Sequence, residues 1–324
     1  DTGGSIRIPA AHNGLVGLRS TLGLLSRYGI CPESETQDIG GPIARTVRDI
    51  ALAMDALALP GPDAADRSTA DPARSTPASY LGQLHPDALR NRRIGVLADL
   101  FGGRPQHGCV NAIVREAVAD IARLGATVIH LPLQPALIAA LDESAVLDDE
   151  FVRDLNEFLH QVPYRDAPEL HALAARTEPR DRVTLDDIMA TGEVVPSVQR
   201  LLVMRSELAR RPDFEQGYQH HLAQRRETQR LLDELMTDYE LDALVFPCQQ
   251  VPAAVIGTHQ DGYYPSGLSS NTGWPALTVP AGRTADALPV GIEFLARPYQ
   301  EALLLGLGYA YEQATRHRVP PRHS

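Results

Sequence analysis

The apolar positions along the chain follow two repeats, one helical and one alternating, and their order predicts the fold class. From Thr46 to Leu59, apolar Val47, Ile50, Ala51, Met54 and Leu57 recur at helical spacing and predict an amphipathic helix. Pro60-Gly61-Pro62 ends it, and the stretch from 61 to about 90, rich in Pro, Ala, Asp and Ser, reads as a surface connection. Ile94-Gly95-Val96-Leu97 is an apolar run of strand length. Asn111 to Leu124 predicts a second helix, with Val114, Val118, Ile121 and Leu124 on one face and Gly125 in the position of a closing glycine. Val128-Ile129-His130-Leu131 then resumes as a strand and completes a β-α-β pattern.

From about 135 to 240 the pattern becomes helical and strongly charged, with surface helices expected at Asp149 to Leu159 and Arg200 to Tyr239. Strand patterns return at Leu244-Val245-Phe246, Leu277-Thr278-Val279 and Ile292-Glu293-Phe294-Leu295. Glu301 to Thr315 predicts a last helix with Leu304, Leu307 and Tyr311 on one side. Strands alternating with helices predict an α/β layered domain, and no internal repeat interrupts it.

Composition narrows the class. Apolar content of 44% and charged content of 22% belong to a globular chain, and 324 residues suffice for one large domain or two ordinary ones. A net charge of −11 argues against a broad nucleic-acid footprint or an anionic membrane surface. Short basic pairs such as Arg92-Arg93 and Arg225-Arg226 read as solvated faces. Cys31, Cys109 and Cys248 show no CxxC spacing and suit a reducing, cytoplasmic setting with ordinary thiols. No HExxH-like metal signature occurs, and no apolar run approaches the ~20 residues that span a bilayer.

The most informative chemistry stands at the start, in Asp1-Thr2-Gly3-Gly4-Ser5-Ile6-Arg7-Ile8-Pro9-Ala10. Paired glycines reach backbone angles closed to other residues, so such a turn can aim successive N–H groups into one concavity beside a serine hydroxyl. That arrangement suits the oxyanion formed when the hydroxyl attacks an acyl carbon. For the bare tripeptide, an ordinary loop serine is the better reading.

The longer string changes this, because it resembles the core of the amidase signature family. Further blocks follow in that family's order: Asn13-Gly14-Leu15-Val16-Gly17-Leu18-Arg19, Gly41-Pro42-Ile43-Ala44-Arg45-Thr46-Val47-Arg48-Asp49, Asn271 to Gly282, Leu288 to Phe294, and Tyr311 to Thr315. The resemblance implies a large twisted mixed sheet sandwiched between helices. Within that single domain, of which residues 1–324 would be the C-terminal major portion, about 135 to 240 would be a helical insertion that helps select substrate. Thr184-Leu185-Asp186-Asp187-Ile188 resembles the peptide-amidase-like branch. By the same resemblance Ser5 is the nucleophile, and the N–H groups of Thr2, Gly3, Gly4 and Ser5 form the oxyanion hole. Asp1 and Arg7 support the turn as an ion pair, and Gly3 and Gly4 should tolerate little change.

The family's general base is a neutral lysine and its proton relay a second serine, both upstream of this string. All thirty basic residues here are arginine, which stays protonated. The lysine and the relay serine are therefore not in this chain, and a fragment of a longer protein is the leading expectation. A processed chain with a separate N-terminal piece, or another base among His12, His130, His220 and His221, stays open. The implied activity is hydrolysis of linear amides without metal or organic cofactor. The expected partner is a small-molecule or peptide amide, with no nucleic acid and no membrane, and a homodimer as one admissible assembly. Two rivals keep the fold: the glutaminase-type subunit of a tRNA-dependent amidotransferase, and a catalytically silent binding protein. Trp274, Tyr263 and Tyr264 are candidate pocket walls that could equally be packing residues.

Overall fold

In a computed structural model that describes residues 1–58, 60–161 and 183–321, seven strands form one open mixed sheet flanked by helices. The strands are β1 (Val16–Arg19), β2 (Ile43–Ala44), β3 (Arg93–Leu97), β4 (Thr127–Leu131), β5 (Ala243–Pro247), β6 (Ala276–Arg283) and β7 (Pro289–Leu295). Their order across the sheet is β2-β1-β6-β7-β5-β3-β4. β3 runs parallel to β4 and β5, whereas β7, β6, β1 and β2 continue by antiparallel pairing. The parallel β3–β4 pair is joined by α3 (Gly108–Arg123), with α1 (Arg7–His12) and α2 (Val47–Leu57) earlier in the chain. Gly125, at φ +93°, follows α3 where the sequence places a closing glycine.

Period-two alternation distributes the strands' side chains between two apolar cores. Val245, Leu277, Val279, Ile292 and Phe294 meet α2, α3 and the C-terminal helix, while Leu244, Phe246, Ala276 and Leu295 belong to the opposite core. Both faces are covered, so β5 is buried at every position.

Residues 135 to 238 contribute only helices among the described residues: α4 (Pro135–Asp142), α5 (Leu147–Gln161), α6 (Leu185–Ala190), α7 (Pro196–Leu208) and α8 (Phe214–Asp238). The continuous helix expected from Arg200 to Tyr239 is instead two, parted at Pro212, which cannot continue an i→i−4 ladder. Two more helices follow, α9 (Gly267–Thr272) and α10 (Glu301–Thr315). The connection from 61 to 92 carries short 3₁₀ turns, yet it buries Asp66, Tyr80 and Leu89.

Glycines sink α1 into the sheet. A Cβ on Gly17 of β1 would lie 2.8 Å from Ala10, and one on Gly291 of β7 would lie 2.7 Å from Ala11. The helix therefore rests on β1 and β7 at backbone distance. It carries the Asp1–Ser5 segment against the same face of the sheet from which Arg19 and Glu293 reach.

Candidate active site

Residues 1 to 6 form an open turn ahead of α1, and Asp1 ties its ends together. The Asp1 carboxylate accepts from the N–H of Ile6 and of Arg7, each at 3.1 Å. Gly4 takes φ +123°, a region closed to other residues, and its carbonyl accepts from Ile8 N–H at 2.8 Å. Ser5 is exposed. Among the described residues, no protein acceptor meets the N–H groups of Thr2, Gly3, Gly4 or Ser5. Four consecutive donors are thus unspent beside an exposed hydroxyl.

The expectation that both glycines resist substitution divides here. A Cβ on Gly4 would stand 2.5 Å from Ile8 Cδ1 and 3.0 Å from Ser266 Cβ, whereas one on Gly3 would meet nothing within 4 Å.

Beneath the turn lies a buried charge network. Arg7, fully buried, bonds to Asp1 through Nε at 3.1 Å and Nη2 at 3.0 Å. It also bonds to the Glu293 carboxylate and, at 3.1 Å, to the Ser266 carbonyl. Arg19 reaches Asp1 at 3.2 Å and the Gln37 carbonyl at 3.0 Å. Burial first, then the neighbouring Arg7 and Arg225, pushes Arg19 well below its ordinary pKa. Burial likewise pushes the Glu293 carboxyl up, against the pull of Arg7. Cys248, buried beside Glu293, has its thiol pushed up chiefly by burial, so it is no nucleophile.

A second tier joins the turn to the helical region. Thr2 Oγ1 donates to Asp38 at 2.7 Å, and Gln37 Nε2 donates to the Thr2 carbonyl at 3.2 Å. Residues 33 to 38 are clamped in turn by Glu150 of α5, which accepts from Ser34 Oγ at 2.5 Å, Thr36 N–H at 2.9 Å and Tyr218 Oη at 2.6 Å. Burial opposes ionisation of Glu150, but these donors outweigh it and hold the carboxyl below its ordinary range. Arg225 of α8, lowered to about 10 by burial, bonds to the Thr36 carbonyl at 2.8 Å and the Ser270 carbonyl at 3.2 Å.

A family model described as Amidase matches residues 1–305. The chain belongs to the amidase family. Its curated relatives include a glutamyl-tRNA(Gln) amidotransferase subunit of Symbiobacterium thermophilum, 31% identical over 335 residues, covering 98% of this chain and 62% of the relative. Among solved structures, native peptide amidase from Stenotrophomonas maltophilia superposes with a TM-score of 0.75 at 34% identity, over 99% of this chain and 62% of that one. An amidase family protein from Bacillus anthracis str. Ames gives a TM-score of 0.75 at 28% identity, over 100% of this chain and 57% of that one. The chain thus spans about 62% of the curated amidase-family relative's length.

The alternative bases do not assemble around Ser5 of this amidase-family chain. His12 closes α1, about 8 Å along the axis from Arg7 at 1.5 Å per residue. It faces Gln249 and Val251, and burial lowers its pKa. His130 is exposed on the edge strand β4, while His220 and His221 pair with Glu143 and Asp149 on the helical side. No side chain among the described residues hydrogen-bonds to the Ser5 hydroxyl.

Trp274 lies in a buried apolar cluster. It is 5% exposed, packed with Leu97, Phe246 and Leu268, and its carbonyl accepts from Ser269 Oγ. Tyr263 and Tyr264 do line a cleft of ≈ 400 Å³, together with Arg104, His107, Gln250 and Asp261. That cleft adjoins the turn through Ser266, whose hydroxyl lies 2.8 Å from the Gly3 carbonyl and 2.7 Å from the Tyr263 carbonyl. Sequence reasoning missed Gln37, Asp38, Glu150, Ser266 and Glu293. A usable signal existed for Glu293, a carboxylate between Ile292 and Phe294 in an apolar strand.

Proposed function

We propose that the protein carrying this chain hydrolyses linear amides through a Ser5 acyl-enzyme. The observation that carries this reading is the set of four unspent N–H donors beside the exposed Ser5 hydroxyl. In the first step Ser5 Oγ bonds to the carbonyl carbon and its proton leaves to a base. The resulting oxyanion accepts from the N–H groups of Thr2 to Ser5. Its collapse breaks the C–N bond, and the departing ammonia or amine takes the proton. Water then attacks the ester by the same route, releasing the acid and restoring Ser5.

The base belongs, in this reading, to residues outside the 324 that contain no lysine. The likeness to peptide amidase favours a peptide amide as substrate, with the Tyr263–Tyr264 cleft receiving the group next to the scissile amide. The test is Ser5→Ala in the full-length protein, assayed on peptide amides and by acyl-enzyme trapping. Both signals should vanish, and retained hydrolysis overturns the reading.

The amidotransferase relatives favour a second reading, a glutaminase-type subunit that works with a partner. Glutamine hydrolysis that appears only with a copurifying tRNA-binding protein, with peptide amides untouched, decides for it.

A further inference from the structure

A trans peptide unit is planar, with its C=O and N–H pointing to opposite sides. A bond to one residue's carbonyl therefore fixes where the next residue's N–H points. Gln37 Nε2 donates to the Thr2 carbonyl at 3.2 Å, behind the turn. It thereby holds the Thr2–Gly3 peptide so that Gly3 N–H faces away from Gln37.

Gln37 is well placed to impose that orientation. It is 2% exposed, and its Oε1 accepts from Val146 N–H at 3.0 Å, just ahead of α5. Both ends of the side-chain amide are therefore committed, and flipping it would oppose oxygen to oxygen at Thr2 and donor to donor at Val146. Its backbone is pinned as well, by Arg19 on the carbonyl at 3.0 Å and by Ser34 Oγ on the N–H at 3.2 Å. Asp38 holds the Thr2 hydroxyl on the same side.

We propose that Gln37 is a positioning residue of the oxyanion hole, acting through the Thr2–Gly3 peptide and linking the helical region to the reaction. The inference rests on the Ser5 reading above. In Gln37→Glu a carboxylate oxygen replaces the donor and repels the Thr2 carbonyl, while Val146 keeps its acceptor. Gln37→Met removes the donor without adding charge.

The experiment measures kcat and KM on a peptide amide with the full-length enzyme, and the affinity of a peptidyl trifluoromethyl ketone, whose serine adduct places an oxyanion in the hole. Losing one hole donor costs about 10²- to 10³-fold, so Gln37→Glu should lower kcat by about 10²-fold. KM should change little, and ketone affinity should fall in parallel with kcat/KM. Gln37→Met should show the same pattern at smaller amplitude, and it carries the test if the charged variant does not fold. Unchanged kcat in a folded variant, a loss confined to KM, or a kcat loss with ketone affinity intact overturns the proposal. A wild-type enzyme that cleaves no amide removes the Ser5 reading itself, whereas active wild type with an unaffected Gln37→Met removes only this inference.

Discussion

Gly4→Ala, compared with Gly3→Ala, separates backbone geometry from mere proximity to the candidate nucleophile. At Gly4 an alanine must hold φ +123°, and its Cβ would sit 2.5 Å from Ile8 Cδ1 and 3.0 Å from the Ser266 side chain. Holding a residue in such a region costs about 1–3 kcal/mol. Overpacking a filled site adds about 1–3 kcal/mol. Gly4→Ala should therefore destabilise the protein by about 2–6 kcal/mol if the turn keeps its shape. If the turn relaxes instead, the Gly4 N–H turns away and catalysis falls while stability recovers. Gly3→Ala meets no atom within 4 Å and needs no unusual φ, so its stability should stay within about 0.5 kcal/mol of wild type. Urea unfolding read by far-ultraviolet circular dichroism, together with kcat/KM on a peptide amide, tests both variants in the full-length protein. Equal destabilisation by the two substitutions, or a Gly4→Ala variant unchanged in both stability and activity, refutes the reasoning.

Two further outcomes follow from buried groups. Glu301 at the start of α10 is fully buried, accepts from Thr21 N–H and Oγ1 at 2.6 Å each, and has its carboxyl pushed up by burial. An acid raised on folding adds stability below its unfolded pKa and loses that contribution as pH rises through its folded pKa. The stability of Glu301→Gln, read from urea unfolding across pH, should thus gain on wild type as pH rises from about 4, and a pH-independent gap would count against it. Trp274→Ala should cost about 3–5 kcal/mol as a core truncation, leaving KM for small amides unchanged. A shifted KM at unaltered stability would return Trp274 to the pocket.

Long segments were legible in the sequence because their apolar runs have the length and spacing of a helix or a strand. The helix at Glu301–Thr315 and the strands around Leu244, Leu277 and Ile292 all lie where the pattern puts them. Six-residue α1 escaped, since a helix that short with Pro9 inside it shows no repeat, and four-residue β1, broken by Gly17 and ending in Arg19, is too short an apolar run to read as a strand. Pro212 was a readable break that the charged pattern around it obscured. The Asp1–Ser5 turn could be read because its parts are contiguous. Its supports could not, because Arg7 meets Glu293 across 286 residues and Ser34 meets Glu150 across 116. Pairings at such separations are set by sheet order and helix packing, neither of which a local pattern encodes.

Electrostatics around Ser5 explain why those distant supports matter. Arg7, Arg19 and Arg225 are buried within one region, and Asp1, Asp38, Glu150 and Glu293 lie among them. With Glu293 ionised the carboxylates outnumber the guanidiniums by one, and with Glu293 protonated the two signs balance. Neither state leaves a positive excess to attract a developing oxyanion. Removing one member of a buried pair costs about 3–5 kcal/mol, so the network secures the turn firmly while contributing little net field. In the proposed Ser5 reaction, stabilisation of negative charge would then fall to oriented amide dipoles, whose effect depends on direction and distance. Asp1, itself paired with Arg7, holds the Ile6 and Arg7 amides, and Gln37 and Ser266 stand behind the Thr2 and Gly3 carbonyls. In the proposed reaction, the buried charges would serve the Ser5 turn by holding its C-terminal end and the α1 entry in place, while neutral donors orient the peptide planes ahead of it.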